Sequence, residues 1–319
     1  MPDALPPGIS CSVSKSAIQG DPRLNKNYRN NPSLLIQTVG HKDNNDDSRA
    51  PPKVQTAIID VGKTFREGAL RWFPYFGIGS LDAIILTHHH MDAMGGLDDV
   101  RGFQKLLPFL PGSTRPRRNP MPLYLSKLCH KELQQRFPWL VPPPPEERQA
   151  NMDDSKPVVK RDTASFDISV FENYMPMHVF DNLSVTPLPV WHGADLESHG
   201  FAFTLVGKSG KKLNVVYLSD ISEMMPATLE FILNKLPKTD ILIVDALLWE
   251  KPIPVHFSLK QALALRRTIQ PTTATYFVGM NCDSMLSHDD MNQWLKANHE
   301  HEASGIVELA YDGLCVEVE

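Results

Sequence analysis

Short runs rich in Val, Ile, Leu and Phe recur along the chain, bounded by Gly, Pro, Asn and Asp, which is the pattern of strands in a packed sheet. S-L-L-I-Q-T-V (33 to 39) and V-Q-T-A-I-I-D-V (54 to 61) read as two strands able to pair as a hairpin across the polar stretch 41 to 53. Further strands are expected at D-A-I-I-L-T (82 to 87), L-S-V-T-P-L-P-V (183 to 190), F-A-F-T-L-V (201 to 206), L-N-V-V-Y-L (213 to 218), D-I-L-I-V-D (240 to 245) and T-Y-F-V (275 to 278). G-K-S-G-K-K at 207 to 212 suits a hairpin turn. Helical spacing instead marks 95 to 107, 225 to 236 and 258 to 269, the last opened by Ser258 as an N-cap. The run V-E-L-A-Y-D-G-L-C-V-E-V (307 to 318) predicts a closing hairpin around Asp312-Gly313. Hairpins mixed with strand-helix units predict an α/β protein containing mixed sheets.

Three zones break this pattern. The opening through about Asn31 is rich in Pro, Asn, Asp and Ser and reads as an irregular arm; the second zone is 41 to 53. The third runs from Pro138 to about Lys160 and includes P-P-P-P at 142 to 145, read as a stiff surface insertion. With 319 residues, 42% hydrophobic content and a net charge of -5, the chain is long enough to bury one large core or two modest ones. That acidity disfavours nucleic acid as a partner, and the tight basic cluster Arg115, Arg117 and Arg118 reads as a solvated loop. No apolar run approaches the roughly 18 residues that span a bilayer. Cys11, Cys129, Cys282 and Cys315 have neither metal-finger nor disulfide-scaffold spacing, so a reducing, cytoplasmic location is expected.

Candidate chemistry starts at L-T-H-H-H-M-D-A-M-G-G (86 to 96), directly behind a buried strand. An extended backbone would project His88, His90 and Asp92 to one side and His89 to the other. Two imidazoles with a carboxylate suit zinc or another borderline divalent ion. His192 in V-W-H-G, Asp220 in V-V-Y-L-S-D and His256 in P-V-H-F-S each stand at an element end. Singly each has an ordinary reading as loop residue, cap or packing residue; together they point to a shared metal site.

The ordered set H-x-H-x-D, H, D, H resembles the metallo-β-lactamase superfamily. N-Y-R-N-N-P-S-L-L-I (27 to 36), G-L-D-D-V-R (96 to 101) and G-M-N-C-D (279 to 283) look more like its branch containing the bacterial cyclic-phosphate phosphodiesterase of phosphonate breakdown and eukaryotic relatives. The resemblance implies a four-layer αβ/βα sandwich with two mixed β-sheets. Residues 1 to 26 would then be an arm, and 27 to 319 one domain carrying the Pro-rich insertion at about 138 to 160. It also implies two divalent ions, zinc or manganese. His88, His90 and His192 would hold the first, Asp220 would bridge, and Asp92 and His256 would complete the second, with Asp60 in a supporting role. Such a site would hydrolyse a small or cyclic phosphate ester through a metal-activated hydroxide, with Asp92 and Asp220 orienting it, and a homodimer is compatible with this.

The chain departs from the family where Ala93 stands in place of a histidine ligand, which leaves the second ion either weak or absent, or held by three protein donors and water. Cys282 stands near the place of a histidine credited with leaving-group protonation, a role that His288 could take unless it merely caps a helix beginning near Asp289. The cysteine cluster that some relatives use for structural zinc is missing, and Cys11 alone makes no such site. Asp98 and Arg101 have the spacing of a helical ion pair, with phosphate recognition by Arg101 as the sharper reading. Trp191 could shape a pocket wall, although core packing is the commoner fate of such a residue. Three alternatives accompany the phosphodiesterase reading: a hydrolase of another ester or thioester, a binding protein on a degenerate hydrolase scaffold, and a tRNA-processing nuclease.

Overall fold

Within the predicted N-terminal arm, Ser12–Ala17 forms helix α1, capped by Cys11, whose Sγ accepts the Ser14 N–H at 3.1 Å. The computed structural model describes residues 11–40, 54–108, 117–141, 162–251, 253–282 and 284–318. Expectations on 41 to 53, on Arg115 and on most of the Pro-rich insertion lie outside them. The chain divides into two compact units: Ser33–Glu172, and Asn173–Glu319 with the segment up to Pro32.

The unit Ser33–Glu172 is built on a five-stranded sheet in the order β1 (Leu34–Val39), β2 (Val54–Ile59), β3 (Ala83–Ile85), β6 (Met121–Leu125) and β7 (Phe166–Val170). The predicted pairing of β1 and β2 is antiparallel, with Leu34 opposite Ile59, and the other neighbours are parallel. A two-stranded ribbon pairs β4 (Leu106–Leu107) with β5 (Arg117–Arg118). All three residues of β3 are buried, which is why the sequence there is continuously apolar rather than alternating. Its core gathers Ile84, Leu86, Leu97, Leu123 and Leu125 with Phe65 and Ala69 of α2 (Phe65–Trp72). After α3 (Met91–Met94), α4 (Lys127–Arg136) adds Cys129 and Leu133.

The helix expected over 95 to 107 does not form. Gly96 lies so close to the chain that a Cβ there would sit 2.6 Å from the Gly62 carbonyl oxygen. That close approach ends α3, and the chain continues as a 3₁₀ turn over Asp99–Phe103 and then β4. Leu97 and Val100 are both buried at the i, i+3 spacing that imitates a helix, whereas Leu106 is exposed. The Asp98–Arg101 pair is likewise not made, because the Arg101 guanidinium donates to the Asp162 carbonyl at 3.2 Å.

In the other unit a seven-stranded sheet runs β14 (Ile306–Leu309), β13 (Ala274–Val278), β12 (Ile241–Asp245), β11 (Lys212–Leu218), β10 (Glu197–Val206), β9 (Leu183–Trp191) and β8 (Met177–Phe180). Strands β11 to β14 are parallel and β8 to β11 antiparallel, the expected 207 to 212 turn joining β10 to β11. Both main sheets are therefore mixed, in agreement with the fold class read from the sequence. Helix α5 (Pro226–Asn234) and helix α6 (Leu259–Ile269) occupy their predicted places. Ser258 and Gln261 make a reciprocal capping box at the start of α6, a device worth about 1 kcal/mol. Fully buried Arg266 on α6 donates to the His299 and Ala303 carbonyls, satisfying groups at the end of α7 (His288–His299). No helix among the described residues is long and apolar enough to cross a membrane.

The closing hairpin at Asp312-Gly313 is absent. A turn forms, with the Leu314 N–H donating to the Tyr311 carbonyl at 3.0 Å, but no strand follows it among the described residues. Asp312 instead accepts the Asn30 N–H at 3.0 Å and anchors the arm. Nearby, Arg29 donates to the Ala310 carbonyl at 3.3 Å and to His288 Nδ1 at 3.0 Å. Asn27 Oδ1 accepts the His288 backbone N–H, and Asn292 Nδ2 lies 3.1 Å from His288 Nε2. His288 is only 2% exposed, and burial, Arg29 and Lys26 together lower its pKa to about 4.

A histidine with a lowered folded-state pKa binds its proton less readily in the folded than in the unfolded chain. Its contribution is therefore present above about pH 6.5 and is lost as pH falls toward about 4, at most about 3 kcal/mol in total. Urea unfolding measured at a series of pH values should show stability falling over that window in the native chain. His288→Asn should flatten that fall, and parallel slopes in the two proteins would contradict the assignment.

Candidate metal centre

In the unit Ser33–Glu172, β3 delivers the H-x-H-x-D loop. Asp60, after β2, takes a positive φ of 63°, a strained backbone for a residue with a side chain. From there its carboxylate accepts both the Thr87 N–H at 2.9 Å and the Thr87 hydroxyl at 2.8 Å. That hydroxyl oxygen lies 2.8 Å from Nδ1 of buried His88. With its own proton given to Asp60, it accepts from Nδ1–H, which leaves Nε2 as the lone-pair donor. Asp60 thus supports the ligand loop through Thr87.

His88 and His90 have ring centroids 4.7 Å apart, and Asp92 Oδ1 stands 3.7 Å from His88 Nε2. Strand alternation does not produce this grouping. His90 is the extended N-cap residue of α3, and Asp92 comes back to His88 through one helical turn. Oδ1 of Asp92 is a buried oxygen with no hydrogen-bond partner among the described residues, the condition of a carboxylate shaped for a cation. Ala93, where a histidine ligand is usual, is 1% exposed; its carbonyl accepts the Val61 N–H at 2.7 Å and its own N–H donates to His90.

The other unit gathers His192, Asp220 and His256, whose ligand atoms all lie within 4.8 Å of one another. His192 follows β9 and points Nδ1 at the Val255 carbonyl, 2.6 Å away. His256 points Nδ1 at Asp245 Oδ2, also 2.6 Å away, and its ring centroid is 5.0 Å from that of His192. Each of these contacts turns Nε2 of the ring toward a ligand role. Asp220, two residues past β11, has a positive φ of 51° and is 8% exposed. Two imidazole nitrogens and a carboxylate at this spacing are a donor set that fits zinc or manganese.

Asp245 escaped the sequence reading. It ends β12 as Asp220 ends the run V-V-Y-L-S-D, so a carboxylate terminating an apolar strand was the available signal. Asp245 is 2% exposed; burial pushes its carboxyl above the usual range, opposed by its hydrogen bond to His256 and by backbone groups of Ile221 and Phe257. Gly279, at φ 81°, packs so tightly that a Cβ there would lie 2.5 Å from Asp245 Oδ1.

His288 is not available as a proton donor. Its ring nitrogens face Arg29 and Asn292, and its lowered pKa keeps it neutral at pH 7. It is the first residue of α7, whose N-cap is Ser287, so it does not itself cap the helix. Cys282 lies against α1, its Sγ 2.6 Å from Ser14 Oγ. Trp191 is 36% exposed rather than packed in the core, and its carbonyl accepts from Ser222.

This fold recurs in known proteins. A solved diphosphatase from the PhnP family is 26% identical, with a TM-score of 0.64 over 98% of this chain and 91% of that one. The metallo-beta-lactamase fold protein YhfI from Bacillus subtilis is 16% identical, with a TM-score of 0.54 over 88% of this chain and 97% of that one. An octanoyltransferase of Porphyromonas gingivalis is 26% identical over 307 residues, 96% of this chain but 47% of that protein, so the chain spans about half the length of this curated relative. The model of the beta-lactamase superfamily domain matches residues 56–278, which contain every donor named above together with Asp60 and Asp245, and the chain accordingly belongs to the metallo-β-lactamase superfamily.

Proposed function

We propose that this superfamily hydrolase is a metal-dependent phosphodiesterase acting on a small or cyclic phosphate ester. The observation that carries the reading is the trio His192, Asp220 and His256, with both rings oriented through Nδ1 and all donor atoms within 4.8 Å. In the assignment proposed here, His88, His90 and Asp92 of one unit and His192, Asp220 and His256 of the other would be the metal donors. Ala93 in place of a histidine offers one donor fewer, and open catalytic sites commonly keep a water in such a position. Zinc or manganese, when bound, would polarise a phosphoryl oxygen and acidify water near neutral pH.

The chain's own groups supply orientation. Asp60 through Thr87, the Val255 carbonyl and Asp245 fix the imidazoles of His88, His192 and His256 respectively. Asp92 and Asp220 would act through their carboxylate oxygens to orient a nucleophilic water. With His288 neutral and enclosed, leaving-group protonation falls to solvent rather than to that ring. The substrate class is supported by the diphosphatase neighbour, which matches nearly the full length of both chains. The same neighbour favours a second reading, hydrolysis of a phosphoanhydride by the same groups. The octanoyltransferase likeness covers under half of that protein and gives acyl chemistry weaker support.

A panel of an aryl phosphodiester, a cyclic phosphodiester, a diphosphate diester and an aryl thioester, assayed with manganese or zinc, separates these readings. The expected result is metal-dependent turnover of the phosphodiesters that falls by more than about 100-fold in Asp220→Ala. Turnover confined to the thioester would overturn the proposal.

Asp245→Asn keeps the shape but removes the charge that holds His256. Calorimetric metal titration of the stripped protein should show affinity weakened about 10- to 100-fold with the far-ultraviolet spectrum unchanged. Unaltered metal binding would deny Asp245 its orienting role.

A further inference from the structure

The two half-buried cysteines outside the metal centre share one neighbour. Ser14 Oγ lies 2.9 Å from Cys11 Sγ and 2.6 Å from Cys282 Sγ, so the sulfurs are separated by no more than the sum of those distances. Cys11 Sγ is also 3.5 Å from the Cys282 carbonyl oxygen, although the two residues are 271 positions apart in sequence. Both are partly exposed, whereas Cys129 is 0% exposed and burial pushes its thiol far above the ordinary range. The guanidinium of Arg29 lies within electrostatic reach of Cys282.

We infer that Cys11 and Cys282 are a reversible oxidation site for a low-molecular-weight disulfide, closing a bond that ties α1 to the loop after β13. The Cys282 thiolate attacks one sulfur of the incoming disulfide, breaking its S–S bond and releasing one thiolate. The Cys11 thiol loses its proton to solvent and attacks the mixed disulfide at Cys282, releasing the second. Two protein thiols are oxidised to one disulfide and one small disulfide is reduced to two thiols. The ordering of α1 against Cys282 raises the effective concentration of Cys11 for the second step.

The bond would brace a loop that matters to the metal centre. Asn281 donates its N–H to the Leu247 carbonyl at 2.7 Å, and Gly279 presses against the Asp245 carboxylate that orients His256. Oxidation would therefore hold the arm closed on the support of one metal ligand without touching a ligand itself.

The test is equilibration of the full-length protein in buffers of graded reduced-to-oxidised glutathione ratio, followed by alkylation, digestion and mass spectrometry. The expected result is a single Cys11–Cys282 linked peptide, two hydrogens lighter than the separate peptides, appearing with one midpoint while Cys129 remains alkylated. Cys11→Ser should leave Cys282 as a stable glutathione adduct, which is not expected in the native chain. Cys11 and Cys282 both remaining alkylated in the most oxidising buffer, a stable glutathione adduct at Cys282 in the native chain, or linkage mainly to Cys315 would each overturn the inference. The native-chain result decides the matter even if the variant folds poorly.

Discussion

A 2.6 Å hydrogen bond between the Asp245 carboxylate and Nδ1 of His256 is the constraint around which the candidate site is arranged. Burying a carboxylate is costly unless it is paired, and Asp245 is 2% exposed. The chain meets that cost by ending β12 at Asp245, placing Gly279 where no side chain can crowd the carboxylate, and running residues 255 to 257 past both histidines. One short segment thereby fixes His192 through the Val255 carbonyl and carries His256 itself. Asp60 and Thr87 provide the equivalent support for His88. Backbone strain collects at the same places: Asp60 and Asp220 are two of the four non-glycine residues with positive φ among the described residues.

Much of this was legible in the sequence because it rests on local rules. Continuous apolar runs gave β3, β11 and β12, Ser258 as an N-cap gave the start of α6, and ligand-type residues at strand ends pointed to the candidate donors. The failures have physical causes. Leu97 and Val100 kept helical spacing while Gly95 and Gly96 were needed for close backbone contact, so tertiary packing overrode periodicity. Asp312-Gly313 has hairpin chemistry, but Asp312 is spent on Asn30, a partner 282 residues away that no local rule could name. Asp245 and Thr87 were missed for the same reason, since their roles lie in hydrogen bonds to residues chosen by the fold. His288 looked like a mobile acid because its enclosure by Arg29 and Asn27 is set by the arm.

Ala93 links the sequence reading to the chemistry. It lies in α3 with its backbone committed to Val61 and His90, so its position is structurally sound and the lost histidine is a change of donor count. What that change does is a question of ion occupancy, and the rings of His192 and His256 are oriented as a metal requires. His192 and His256 each have Nδ1 facing an acceptor, and Asp92 keeps a buried oxygen without a hydrogen-bond partner among the described residues. Such an arrangement, costly if no cation ever enters, is what makes the phosphodiesterase proposal stronger than that of a degenerate binding protein.

The measurement that tests this most directly is the metal content of protein purified without chelator, determined by elemental analysis on the same sample as the protein concentration. Two divalent ions per chain is the result the account predicts. One ion or none, persisting after incubation with excess zinc and manganese, would contradict it and leave a hydrolase fold without the chemistry proposed for it.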